Sequence, residues 1–484
     1  MVLSELLSAI ITEEVIGDDN IEIASLTADS RSCEAGTLFI AVRGVNVDGH
    51  DFIKSAISNG ASAIVCEEIP TGIDNDITWI KVANSSVALG FLASQWFDNP
   101  SRKLTLIGVT GTNGKTTIAT LIYEMARLNG HRAGLLSTVV NKIENEEIPA
   151  THTTPDPIEL NSLLRRMVDA GCTVAAMEVS SHAAHQHRIA GLHFAGGIFT
   201  NLTRDHLDYH KTFEAYLAAK QSFFDLLPKE AFALTNIDDR NGMIIVQNTR
   251  AKVYTYSLRS DADFRGHIVE NRIDGMSMTF NGTEVETLFT GRFNASNLTA
   301  VFGASVLMGY NREQLPVEMS RLIPVAGRFQ TFRSQNGITA IVDYAHTPDA
   351  LINVLDAIRD IVGRSCAVIT VCGCGGNRDK GKRPQMAVAA VRRSDRVILT
   401  SDNPRNEDPA EIINDMRAGL TKEELATTLS ITDRREAIRT ATALAKPGDV
   451  ILIAGKGHET YQIIGPVTNH FDDREEIIAA FANI

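Results

Sequence analysis

Residues 108–117 read GVTGTNGKTT. The run before it, LTLIGV at 104–109, has the apolar, β-branched character of a buried strand, and IATLIYEMARLNG at 118–130 carries a helical pattern. A strand, a glycine-rich turn and a helix start together gather backbone N–H groups and a helix N-terminus around a phosphate. In that arrangement Lys115 contacts the terminal phosphates and Thr116 offers its hydroxyl to Mg²⁺. The strict pattern places glycine five positions before Gly114, where this chain has Val109, so the match is a variant. A glycine turn that merely opens a helix leaves Gly-Lys-Thr-Thr at the helix start unexplained, and nucleotide binding on an α/β sheet is the expectation.

The same alternation continues outward. Strand-like TVAAMEV and GGIFTNL lie near the phosphate loop, and ITAIVDY, CAVITVCG, DRVILTS and DVILIAG follow, with helical patterns between them. This predicts mostly parallel sheets covered by helices on both faces, with ligands beyond the carboxyl ends of the strands. Two breaks, DNPSRK at 98–103 and PVAGRF at 324–329, divide the chain into expected domains at 1–98, 99–327 and 328–484. A chain of 484 residues is too long for one ordinary core.

Hydrophobic content of 44% and charged content of 22% are those of a soluble globular protein. A net charge of −13 argues against a non-specific nucleic-acid binder but leaves room for a local positive site. No secretory signal and no membrane-length apolar run is found, so a cytoplasmic protein is expected. The six cysteines match no zinc or redox spacing and read as free thiols in a reducing compartment.

Several polar segments follow predicted strands. In MEVSSH, Glu178 falls where a Mg²⁺-coordinating carboxylate sits in many phosphate-handling α/β enzymes, although a lone Glu at a strand end is more often just solvated. FTNLTRDHLDYH, 199–210, packs Arg204, Asp205, His206, Asp208 and His210 together and reads either as a site or as a polar loop. In TFEAYLAAKQSFFDLL, 212–227, Lys220 sits within the stripe of Phe213, Tyr216, Leu217, Phe223, Phe224 and Leu227. Read alone, it is a stem that snorkels to solvent at the stripe's edge. GNRDKGKRP at 376–384, SDNPR at 401–405 and GKGHET at 455–460 each follow a strand of one sheet, and three such loops imply a shared crevice.

TGTNGKTT, EVSSH, TNLTRDHLDYH, GCGGNRDKGKRP, DNPR and GKGHE, in this order, resemble the Mur ligases, the ATP-dependent amide-forming enzymes of peptidoglycan synthesis, over essentially the whole chain. Two small departures are Ala326, where proline is expected, and Asn377, where aspartate is frequent. The resemblance implies an N-terminal domain for a uridine nucleotide, a central P-loop ATPase domain and a C-terminal Rossmann-like domain for the incoming amino acid. Within the family the pattern is that of the member that adds meso-2,6-diaminopimelate to UDP-N-acetylmuramoyl-L-alanyl-D-glutamate.

On this likeness Ser30 contacts the nucleotide end, and Thr153, Thr154, Ser180, Gln186 and Arg188 bind the muramoyl-peptide portion. Gly111, Thr112, Asn113, Gly114, Lys115, Thr116 and Thr117, with Asn297, Arg328, Asp343 and His346, approach ATP. Thr116, Glu178, His206 and Lys220 hold Mg²⁺, with Lys220 carbamylated to N6-carboxylysine, and Lys115, Glu178, His206 and Lys220 serve catalysis. Arg378, Asp402, Asn403, Pro404, Arg405, Gly455 and Glu459 bind diaminopimelate. A monomer acting on small molecules is expected. The competing readings are the same ligation with L-lysine, a folylpolyglutamate synthetase, and a nucleotide-dependent switch that ligates nothing.

Overall fold

The computed structural model describes residues 1–44, 47–72, 76–150, 152–203, 205 and 207–482, with the side chains of 207 and 208 left out. Three main sheets follow one another along the chain. The first has five strands in the order Glu14–Ile16, Thr78–Lys81, Ala61–Cys66, Thr37–Ile40, Ser25–Thr27, antiparallel only at its first pair. Separate apolar clusters, one around Leu3, Leu38 and Leu92 and one around Phe39, Ile64 and Trp79, cover its two faces.

The second sheet has eleven strands, parallel through its centre and antiparallel at both ends. Strand Thr105–Thr110 lies between Val174–Glu178 and Gly196–Phe199. The chain leaves Thr105–Thr110 through the helix Lys115–Leu128, so the phosphate loop emerges at the carboxyl end of a strand that has parallel neighbours on both sides. Crevices open there in sheets of this type. Apolar residues on these three central strands are buried on both faces, which accounts for their continuous runs in the sequence.

The helix Phe213–Asp225 packs over the two central strands because both have glycine beneath it. A Cβ on Gly108 would lie 2.5 Å from Phe223, and one on Gly197 would lie 3.0 Å from the same ring. Thr212 caps this helix by accepting from the Ala215 N–H. Tyr216, Phe223, Phe224 and Leu227 are buried, while Phe213 and Leu217 are only partly so.

The third sheet runs Gln330–Arg333, Thr339–Asp343, Val450–Ala454, Val368–Cys372, Arg396–Leu399, Thr428–Ser430, parallel apart from its first pair. A hairpin, Tyr461–Ile464 with Val467–His470, follows its strand Val450–Ala454. The sheet is anchored by a fully buried pair. Arg434 donates through Nε and Nη2 to the two carboxylate oxygens of Asp473, both at 2.7 Å, and Nη2 also reaches the Ala454 carbonyl at 3.0 Å. That last bond fixes the strand end from which GKGHET departs.

Removing one partner of such a pair strands a buried charge. Asp473→Ala should lower unfolding stability by about 3–5 kcal/mol, read from the urea midpoint and slope.

Candidate functional site

The phosphate loop depends on two glycines with left-handed backbone. Gly111 has φ +148° and Gly114 has φ +90°; a Cβ on the first would lie 1.8 Å from Thr200 Oγ1, and one on the second 2.5 Å from Asn297 Oδ1. The loop is held from below by residues after the strand Gly196–Phe199. Thr200 Oγ1 donates to the Asn113 carbonyl at 2.6 Å, and Asn201 Oδ1 accepts from the Asn113 N–H at 3.0 Å. Thr112 Oγ1 meets the Tyr216 hydroxyl at 3.0 Å, which ties the loop to the helix carrying Lys220.

Lys220 does not snorkel. It is 1% exposed, and its Nζ donates to the Gly111 carbonyl at 2.7 Å while lying 4.8 Å from the Tyr216 ring centre. The expected stripe edge is covered by the phosphate loop itself, which joins the helix from residues more than a hundred positions earlier. Burial pushes this ammonium well below its ordinary pKa; Lys115 pushes in the same direction and Asp205 opposes. Lys115 is also folded inward, with Nζ 2.9 Å from each of the Gly111 and Thr112 carbonyls. Burial lowers its pKa too, against the pull of Glu178 and Asp205.

A cavity of about 500 Å³ opens above this loop. Its lining includes Thr112 to Thr117, Thr153, Thr154, Glu178, Ser180, Arg188, Lys220, Asn297, Arg328, Asp343 and His346. Gln186 is not among the lining residues but orients Arg188, accepting from Nε and Nη2 at 3.0 and 2.7 Å. Arg328 spans 212 positions of sequence to donate from Nη2 to Thr116 Oγ1 at 3.1 Å, and its guanidinium lies over Tyr344. Burial raises the Asp343 carboxyl to about 6, although Arg328 and the Phe329 N–H hold it down. His346 donates from Nδ1 to the Tyr344 carbonyl, and burial together with Lys382 lowers its pKa.

The donor set here suits a hard divalent cation, which takes oxygen ligands. Glu178 is 1% exposed, and its Oε1 accepts from the Thr138 N–H at 2.7 Å. The Thr116 hydroxyl lines the same cavity. His206, the nitrogen ligand expected there, lies outside the described residues, as does Arg204. Among the described residues no three His, Cys, Asp or Glu side chains form a ready metal cluster. Any oxygen from Lys220 would come only with a carbamate.

The amino-acid candidates gather elsewhere, at the carboxyl edge of the third sheet. Arg405, just after Pro404, has φ +53°. The hairpin holds it there: the Arg405 N–H donates to the Ile463 carbonyl at 3.0 Å, and the Gly465 N–H donates to the Arg405 carbonyl at 2.7 Å. Its Nη1 donates to the Gly376 carbonyl at 2.9 Å. Asn403 donates to Glu459 Oε2 at 2.8 Å, and the Gln462 side chain donates to the Asp402 carbonyl at 2.8 Å. Gly455, φ +120°, sits beside the Asp402 carboxylate. Arg378 is exposed on the neighbouring loop. Asn377 adopts φ +53°, a region asparagine tolerates, and accepts from the Asn406 N–H. Ser30 lies in the first sheet's domain, away from both groups, its carbonyl accepting from Asn59.

Sequence reasoning missed Asn201, Thr138, Arg383 and Lys456. Arg383, fully buried, clamps Glu407, Asp415 and the Gly375 carbonyl, and so orders the loop that carries Arg378. Spacing gave no sign of its burial, since GNRDKGKRP reads as a uniformly charged turn.

A glycine loop at a parallel strand end, two inward lysines and a second polar crevice across a third sheet are the arrangement of an α/β enzyme built around a phosphate. Residues 22–96 match the Mur ligase family catalytic domain, 109–305 the Mur ligase middle domain and 327–457 the Mur ligase glutamate ligase domain. UDP-N-acetylmuramoyl-L-alanyl-D-glutamate–2,6-diaminopimelate ligase of Bacteroides thetaiotaomicron is 59% identical over 481 residues, which are 99% of this chain and all of that protein. The protein of the same name from Phocaeicola vulgatus is 58% identical over 483 residues, covering both chains fully. A solved structure bearing that name superposes with a TM-score of 0.71 at 34% identity, over 100% of this chain and 99% of the other. The chain belongs to the Mur ligase family, with its three-domain α/β fold.

Gly114→Ala must hold an L residue at φ +90° and displace Asn297, at a cost of about 1–2 kcal/mol from the backbone alone. It should weaken ATP binding by about tenfold or more in calorimetry, with an unchanged circular dichroism spectrum.

Proposed function

We propose that this ligase joins meso-2,6-diaminopimelate to the D-glutamyl γ-carboxylate of UDP-N-acetylmuramoyl-L-alanyl-D-glutamate, at the expense of ATP. The observation that carries the proposal is one cavity lined both by the phosphate loop and by Thr153, Thr154, Ser180 and Arg188, the candidates for the muramoyl peptide. The high identity to relatives named for this reaction supports the choice of substrates. Residues 1–98 are assigned the uridine nucleotide through Ser30, residues 99–327 ATP, and residues 328–484 the amino acid. The three successive sheets support that division.

A carboxylate resists an amine nucleophile, because it is anionic and has no leaving group. Transfer of the ATP γ-phosphoryl to a γ-carboxylate oxygen forms an acyl phosphate and releases ADP. The diaminopimelate amine then adds to the acyl carbon, the tetrahedral oxyanion collapses, and phosphate leaves with the C–O bond while the amine loses its proton. The first step brings two anions together, and Lys115 and Arg328 supply positive charge where it develops. Arg188 and the Thr153 and Thr154 hydroxyls orient the acceptor carboxylate. Mg²⁺, held by Thr116, Glu178 and a carbamylated Lys220, with His206 as a further ligand, would neutralise phosphate charge when bound.

Carbamylation needs a neutral amine to attack CO₂, forming a C–N bond and releasing a proton. Burial of Lys220 beside Lys115 favours that neutral form. The reading places the chain in the cytoplasm, as a monomer. A folylpolyglutamate synthetase would leave the first sheet without a role, and a pure switch would leave the loops at 376, 402 and 455 without one.

Phosphate release with the muramoyl dipeptide should require diaminopimelate and be negligible with L-lysine, whose missing carboxylate leaves Arg405 desolvated and unpaired. Discrimination of about 10⁴-fold in kcat/KM is expected. Arg405→Lys should raise the KM for diaminopimelate steeply, since an ammonium cannot reproduce a bidentate fork. Equal use of lysine, or an unchanged KM, would refute the assignment. Lys220→Ala should abolish most activity, with partial rescue by a short carboxylic acid; a bare amine in the mass of the active enzyme's Lys220 peptide under CO₂ trapping counts against the carbamate.

A further inference from the structure

Lys456 is fully buried and belongs to none of the steps above. It lies between Gly455 and Gly457, with φ +120° and +54°, and points into the crevice formed by DNPR and GKGHET. Its Nζ is 3.1 Å from Glu459 Oε2, 3.8 Å from Asp402 Oδ1 and 3.5 Å from Asn403 Oδ1, with the Tyr461 ring 5.4 Å away. Asp402 Oδ1 makes no hydrogen bond among the described residues. Arg434, on another side of Asp402, is already matched by Asp473. Apart from Arg405, which is set against a carboxylate of the ligand, the groups around Lys456 are two carboxylates and one ammonium, a local surplus of one negative charge.

We propose that Lys456 is a positioning residue that sets this surplus, so that the crevice accepts one ammonium of the incoming amino acid while Arg405 takes the adjacent carboxylate. The inference rests on the functional reading above. Diaminopimelate presents an ammonium and a carboxylate on its far carbon. Two unmatched buried carboxylates would repel each other and one would take up a proton, losing its grip on an ammonium. Burial and Asp402 already push Glu459 in that direction, and Lys456 and Asn403 hold it back. With Asp402 alone removed, the lysine would cancel Glu459 and leave no charge for the ligand. Asn403 fixes the geometry, its Oδ1 accepting from the Ile463 N–H at 2.9 Å while its amide holds Glu459.

The test is initial-rate kinetics with ATP, muramoyl dipeptide and diaminopimelate on the wild type, Lys456→Met, Asp402→Asn and the double variant. Each single substitution should raise the KM for diaminopimelate by about tenfold or more, with kcat at saturation and the KM for ATP little changed. The double variant restores one carboxylate without a partner, so its KM should fall below that of either single variant. A merely structural lysine would give additive losses. A double variant no better than the worse single, or Lys456→Met with an unchanged KM, overturns the inference. If Lys456→Met does not fold, a folded double variant with a KM below that of Asp402→Asn supports it, and a double variant that also fails to fold overturns it. A wild-type enzyme that releases no phosphate with diaminopimelate overturns the functional reading and this inference together; a wild-type enzyme that does, with variants breaking the pattern, overturns the inference alone.

Discussion

The carbonyl of Gly111 accepts a hydrogen bond from Lys115 at 2.9 Å and another from Lys220 at 2.7 Å. Two charged amines on one oxygen would repel each other, and burial raises the cost of charging either. The arrangement persists because Gly111 has no side chain to fill the space and because Glu178 and Asp205 offset part of the charge. The phosphate loop, the Lys220 helix and the strand end at Glu178 can hold their present positions only together.

That coupling reaches into the sheet. Gly108 and Gly197 let Phe223 settle against two neighbouring strands, which sets the height of the helix above the sheet. Lys220 lies one helical turn before Phe223, so the packing of an aromatic ring fixes where an amine meets the loop. The Thr112–Tyr216 bond fixes the other end of the same helix. Core packing and site geometry are here one constraint, and volume changes below the helix would move the amine.

The buried strands of the second and third sheets could be read from the sequence, because a strand covered on both faces needs a nearly continuous apolar run such as TVAAM or VILIA. The phosphate loop was legible because its glycines sit at fixed offsets from Lys115. The first sheet's three-residue strands, such as Glu14–Ile16 and Ser25–Thr27, are too short to show a period. Lys220 was misread because helical periodicity places a residue on a face but says nothing of what later covers it. Lys456 and Arg383 were missed for a related reason: a lysine or arginine in a charged loop looks solvated until tertiary partners such as Glu459 or Glu407 are in place. The left-handed Arg405 owes its conformation to a hairpin sixty residues later, a non-local cause.

Amide formation requires the activated carboxyl and the amine to meet, yet the two groups of residues stand on different sheets. The segment around Gly327 joins them physically. Gly327, φ +65°, packs so closely on Gly457 that a Cβ would lie 2.1 Å from the His458 nitrogen, and the Tyr344 N–H donates to the Gly327 carbonyl. The next residue, Arg328, reaches Thr116 in the first turn of the phosphate-loop helix. The loop bearing Lys456 and Glu459 is thus in backbone contact with the residue whose neighbour touches the ATP site. Glycine on both sides of that contact leaves no slack, since any side chain there would separate the strands. A displacement of either loop must then be shared by the other, so the crevice at DNPR and GKGHET is coupled mechanically to the cavity above the phosphate loop.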